Sequence, residues 1–236
     1  MKLNIVKKEG KEMAEQENKR TYKEITKRYI LFIISLFFAA LGVAITKKGE
    51  LGVSPISSVA NVLSIKFSAL SLGNWLIAWN AVLILGQIIL LRKKFQWIQL
   101  LQLPLSILFG YFTDFSMWIV SHFEIEAYPI RLAMIIIGTI VLGFGIALSV
   151  IADVIMNSGE AFVKAISDTI HRDFGKIKTI FDISCVAVAV LLSLLFFNFT
   201  IEGTREGTII AAFLTGSIVG MFSKKLLNPI NNVMKK

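Results

Sequence analysis

Apolar residues gather into six runs along the chain, Tyr29–Thr46, Leu72–Leu91, Ile98–Val120, Leu132–Ala152, Ile177–Phe197 and Thr208–Phe222. A helix needs roughly 20 residues to cross about 30 Å of hydrocarbon, so each run predicts a spanning helix, the last a short one. Two further segments follow another plan. Between the first and second runs, Ser57, Asn61, Ser64 and Ser68 recur at i, i+4, i+7 and i+11, one face of a helix, with Ile56, Val59, Ala60 and Leu63 opposite. Between the fourth and fifth, Glu160, Lys164, Ser167 and His171 repeat that spacing, with Phe162, Val163 and Ile166 opposite.

The two polar stripes belong to an internal duplication. Moved by 103 residues, "LGVAITKKGELGVSPISSVANVLS" lies over "FGIALSVIADVIMNSGEAFVKAIS" without a gap, pairing Gly42 with Gly145, Ala44 with Ala147 and Ser64 with Ser167. One deletion further on, Gly73 pairs with Gly175 and Asn80 with Asp182. Each copy holds three spans, an odd number, so the second copy enters the bilayer upside down. The expected fold is therefore all-α: six transmembrane helices as two inverted three-helix repeats, each with a re-entrant or broken half-helix. Inverted repeats with short or broken hydrophobic segments are a mark of many secondary transporters.

Composition agrees with a polytopic membrane protein. The chain is 55% hydrophobic and 17% charged, with a mean hydropathy of +0.70, against about 25% charged in an average soluble domain. The net charge of +9 describes topology more than partners: nine of the 25 Lys and Arg residues precede Tyr29, and most others sit in short loops. Basic loops face the cytoplasm, which places both termini inside, Arg92–Lys94 inside and "SHFEIEAYPI" outside. A seventh span at Ser54–Phe67 would put Arg92–Lys94 outside. The expected division is a charged cytoplasmic tail over 1–28, repeat one over 29–120, an external linker over 121–131, repeat two over 132–226 and a cytoplasmic tail over 227–236, in a bacterial cytoplasmic membrane. There is no nucleic-acid signal. One cysteine, Cys185, and two histidines argue against a disulfide within the chain and against a metal site. No enzyme motif or cofactor fingerprint is present.

Both short segments open with a helix-start signal. Ser54-Pro55 offers an N-cap with proline at the first helical position, and Asn157-Ser-Gly-Glu160 resembles a capping box. If these starts lie inside the bilayer, their free N–H groups and positive dipole ends face the interior. If the segments lie flat in the interface, the stripes face water and Glu160 pairs with Lys164 at i+4. Asn80 and Asp182 fall about two helical turns from opposite faces, and an ionisable residue in a span is a functional candidate by default. Asp182 carries a proton or cation, or binds Lys164 or Lys178. Asp114 is a weaker candidate, Pro104 is expected to kink the third span, and Gln99 and Gln102 fit interhelical hydrogen bonds.

At "GVSPISSVANVLS", "LQLPLSILFGYF" and "EGTIIAAFLTG" the sequence resembles the YczE/YyaS/YitT group of bacterial integral membrane proteins, over roughly residues 28–226 and most closely its short YczE-type members. Gly52, Ser54, Pro55, Gly207 and Thr208 carry the motif positions. The resemblance implies membrane location and a duplicated architecture, and no substrate. The reading that follows is a small-molecule transporter or permease. Its expected site lies between the two helix starts: Ser54, Ser57 and Asn61 from one side and Asn157, Ser158, Glu160 and Lys164 from the other, flanked by Asn80 and Asp182, for a small-molecule substrate with or without a proton or cation. A substrate-capturing membrane subunit of a vitamin importer and a non-transporting membrane regulator are the alternatives.

Overall fold

The computed structural model of the chain describes residues 21–125 and 127–234. The charged tail up to residue 20, residue 126 and the last two residues lie outside that range. Among the described residues the fold is helical throughout: α1 (Tyr22–Lys48), α2 (Pro55–Lys66), α3 (Leu72–Leu91), α4 (Gln102–Ser121), α5 (Tyr128–Ala152), α6 (Ser158–Ile170), α7 (Phe174–Phe196) and α8 (Glu206–Met234). Six of these, all but α2 and α6, are long and apolar enough to cross a membrane. Local chemistry sets several boundaries. The Ser71 hydroxyl accepts from the Asn74 amide and caps α3, the Asp173 carboxylate accepts from the Lys176 amide and caps α7, and α5 and α6 end on left-handed Asp153 and His171.

Two elements differ from the sequence expectation. The last helix is not short: it continues past Phe222 through Met234 as one 29-residue helix containing Pro229. The third span, where Pro104 is expected to introduce a kink, changes helix type just before that proline. A 3₁₀ turn at Trp97–Leu101 gives way to α-helix at Gln102, so Pro104 sits in the first α-turn, where its missing N–H costs little.

Helices α1 and α5 run antiparallel through the centre. Half of α1's apolar stretch and 56% of α5's is buried, against 6% for α8. Small residues let the two backbones touch. A Cβ added at Gly42 would collide with the backbone of Leu142 and Gly138, and one added at Gly145 with the backbone of Ala39 and Ser35. The ends are tied by arginines. Arg28, 4% exposed, donates from Nη1 to the Ile151 and Ala152 carbonyls (3.1 and 3.2 Å), from Nε to Glu24 and from Nη2 to Asn231 Oδ1. It thereby satisfies the last carbonyls of α5, which have no partner within their own helix. At the other end Arg131 pairs with Glu50 at 2.9 Å. Arg28→Ala should lower the unfolding free energy by about 3 kcal/mol, since charge-assisted hydrogen bonds contribute roughly 1.5–3 each. Chemical denaturation of the purified protein in detergent measures it.

Around this pair, α4 packs on α1 and α8 on α5, α2 packs on α7 and α6 on α3. Two of the three segments that carry the resemblance come together, the first and the last. Gly52 adopts φ +113° against Thr208, Val53 N–H donates to the Thr208 hydroxyl (3.2 Å), and Gly207 N–H donates to the Leu51 carbonyl (2.8 Å). A side chain at Gly52 would meet both a disfavoured φ and Thr208.

Candidate functional site

The starts of α2 and α6 meet inside the bundle. A Cβ at Gly159 would lie 2.9 Å from Ile56 Cδ1, and Pro55, Ser57, Ser158 and Gly159 are all buried. Neither cap residue, Ser54 or Asn157, places its side chain on its own helix's N–H groups. Ser54 instead donates to the Ser57 hydroxyl at 3.0 Å. The start of α6 is held from outside: Gln87 Nε2 donates to the Ser158 carbonyl (3.2 Å) and to Gln102 Oε1 (3.1 Å), Gln102 Nε2 donates back to Gln87 Oε1, and the Ser106 and Ser158 hydroxyls share a hydrogen bond. Gln102 thus makes the interhelical bond its sequence suggests. With every polar group in this clamp satisfied, the helix start is fixed in place.

Beside the two starts lies a cavity of about 600 Å³, within the usual range of roughly 300–1,000 Å³ for small-molecule sites. Its wall is mostly apolar, with Phe32, Leu36, Trp79, Phe109 and Phe174 among its residues, and its polar groups come from both halves of the chain. Of the nine residues expected from sequence, Ser54, Ser57, Asn80, Asn157, Ser158, Glu160 and Asp182 line it.

Asn61 and Lys164 do not. Asn61 is buried elsewhere, accepting from Lys47 Nζ and donating to the Gly203 carbonyl. Lys164 is exposed and sits 3.6 Å from Asp168, four residues on, instead of pairing with Glu160. The reason is the orientation of α6, which buries Ser158, Gly159, Ala161, Val163, Ala165 and Ser167. Of the polar stripe only Glu160, in the first turn, reaches the cavity; Ser167 is buried and donates to the Arg172 carbonyl, and Lys164 and His171 turn outward.

The cavity's cation is Lys178. Its Nζ lies 2.5 and 2.6 Å from the two Asp182 carboxylate oxygens, and both residues line the wall. The sequence does contain the signal, because Lys178 and Asp182 stand at i, i+4 on one helix. Asp114 is taken up elsewhere. It accepts from the Ser71 hydroxyl (2.5 Å) and the Gly73 amide (2.8 Å), joining α4 to the start of α3.

One boundary of the cavity is loose. On the α3–α4 side, Gly73 and Gly110 bring the two backbones into contact. On the α7–α8 side there is no extended packing between the helices. Both still face the cavity, α7 with Gly175, Lys178 and Asp182, α8 with Thr215 and Gly216, and an added Cβ at Gly216 or Gly220 would meet nothing within 4 Å.

Among known proteins, the model of a family of unknown function (DUF6198) matches residues 26–224. No curated protein and no solved structure matches the chain. The matched stretch reaches into all six candidate spanning helices, stopping ten residues short of the end of α8, and includes every residue that lines the cavity; the chain belongs to that family.

Proposed function

We propose that this member of a family of unknown function is a small-molecule secondary transporter of the bacterial cytoplasmic membrane, made of two inverted repeats, with both termini on the cytoplasmic side. It keeps its likeness to the short YczE-type proteins as part of this reading. The observation that carries the proposal is the cavity at the meeting point of two half-helix starts, with polar groups from both halves and charged groups from the second on its wall. Ionisable side chains within a spanning segment are expensive and mark a functional candidate by default, and here a carboxylate and an ion pair stand on the wall of a space of that size.

The inverted arrangement has residue-level support. Gly42 abuts Leu142 and Gly138, while Gly145 abuts Ala39 and Ser35; each residue of one set has its counterpart 103 positions on in the other. Arg28 at the start of α1 holds the end of α5, and Arg131, again 103 further, holds Glu50 at the end of α1. Gly159 touches Ile56, its own counterpart. Reciprocal contacts between antiparallel helices fit a twofold axis lying across them, which in a bilayer is an axis in the membrane plane. The unequal flanks, α3–α4 closed and α7–α8 open, fit one conformation of an alternating-access cycle.

A thermal-shift screen of the purified protein against a metabolite library, followed by uptake into proteoliposomes, tests the reading. A true ligand at 100 times its Kd stabilises by about 2.7 kcal/mol. Asp182→Asn should weaken that shift and the uptake, and Lys164→Ala, outside the cavity, should leave both as they are. A library without a single stabilising compound, together with liposomes that accumulate nothing, would falsify the transporter.

A further inference from the structure

The charges on the cavity wall select the kind of molecule it accepts. Among the described residues three charged side chains line it, Glu160 on α6 and Lys178 and Asp182 on α7; the facing helices α1, α2, α3, α4, α5 and α8 add only uncharged groups. Lys178 and Asp182 neutralise each other through two short contacts. Glu160 enters no ion pair among the described residues, its i+4 neighbour Lys164 being on the outside with Asp168. Ionised, Glu160 leaves the cavity with one uncompensated negative charge against an apolar, aromatic wall.

Two opposing effects then have to be weighed. The helix starts favour anions, each by about 0.3–1 kcal/mol and by no more than ~2 in partly buried sites. Of these, α6 already has Glu160 in its own first turn, and α2 begins with Pro55, which has no N–H to offer. An unpaired carboxylate away from water costs several kcal/mol, so the carboxylate decides the sign. Trp79, Phe109 and Phe174 present aromatic surface, which attracts cations as well.

We propose that the cavity binds an organic cation with an apolar body, an amine or quaternary ammonium, with Glu160 as its counter-ion, and that the cation and a proton occupy that carboxylate in turn. When the cation binds, the Glu160 carboxyl releases its proton to water; when the cation leaves on the other side, the carboxylate takes a proton from water there. Charge on the carboxylate is balanced at each stage, and the cycle is a one-for-one exchange. This rests on the transporter reading above and adds the substrate class and the coupling.

Tetraphenylphosphonium and tetraphenylborate, nearly equal in size and opposite in charge, are the probes. The purified full-length protein should bind the phosphonium and not the borate. With a permanently charged probe only the protein can titrate, so phosphonium affinity should rise about tenfold per pH unit while a single proton competes and level off once Glu160 is ionised. Glu160→Gln should lose at least tenfold in affinity and the whole pH dependence, while Lys164→Ala keeps both. The wild-type pH profile tests the proposal even if Glu160→Gln folds poorly. Preference for the borate, a flat pH profile, no binding of either probe, or pH-dependent phosphonium binding that survives in folded Glu160→Gln would each overturn it. If metabolites in the screen stabilise the protein while these probes give one of those results, the substrate class fails and the transporter reading stands.

Discussion

Gly42→Leu and Gly145→Leu should each cost the protein its stable folded state. The obstacle at either position is backbone, the Leu142 amide and Cα in one case and those of Ala39 in the other, and backbone cannot swing aside like the tip of a side chain. To admit leucine the two central helices must separate, and every contact along their seam weakens with them. Overpacking in a well-packed core costs about 1–3 kcal/mol even where side chains can adjust; here the loss should exceed that range. The same reciprocity makes the two variants comparable in effect, which a unique, unrepeated contact would not. Size-exclusion profiles and melting curves in detergent measure this. Gly216→Leu is the control: its Cβ meets nothing within 4 Å, so it should purify as a monodisperse, normally stable protein. Leucine-substituted α1 and α5 with wild-type melting behaviour would mean that the seam is not where the fold is held.

Much of this arrangement is readable in the sequence because it depends on simple quantities. Span length follows from bilayer thickness, so the six long helices come from apolar runs. The 103-residue register survives because Gly42 and Gly145 have the same task, close approach of backbones, and nothing larger than glycine performs it. Seven cavity residues follow from that register combined with helix-start signals. The errors lie where tertiary packing decides. Periodicity places Asn61 and Lys164 on equivalent stripes, yet it does not say which part of a stripe meets the cavity. The loop carrying Gly203 covers Asn61, whereas the outer part of α6 has no such cover and Lys164 stays exposed. The sequence offers Lys178 as one of two partners for Asp182, and the structure selects it over Lys164. That the pair faces the cavity depends on how α7 is turned in the bundle, which the i, i+4 spacing does not determine. The extension of α8 past Phe222 escapes a hydropathy reading because polar Ser223, Lys224 and Lys225 end the apolar run without ending the helix.

Cysteines at Gly175 and Gly216, introduced together in a Cys185→Ser background, should cross-link on oxidation and stop transport until a reductant restores it. The argument starts from the closed flank. There Gly73 on α3 and Gly110 on α4 touch, and Asp114 bonds Ser71 and the Gly73 amide to hold them. Gly175 is the register counterpart of Gly73, and Gly216 lies on α8 facing the same cavity with open space around it. If the two repeats exchange conformations, α7 closes onto α8 through these glycines while α3 and α4 part. A disulfide needs Cα atoms within about 7 Å, so it traps the closed form and cannot form while the flank stays open. Gly216→Leu should reach the same end by sterics, folded but unable to close, with uptake reduced at least tenfold. A saturating ligand should alter the cross-linking rate, since a ligand that binds the two conformations unequally shifts their populations. The decisive failure would be a double-cysteine protein that never cross-links, with or without ligand, and still transports at the wild-type rate: α7 and α8 would then not be a gate, and the open flank would be a fixed feature of the fold.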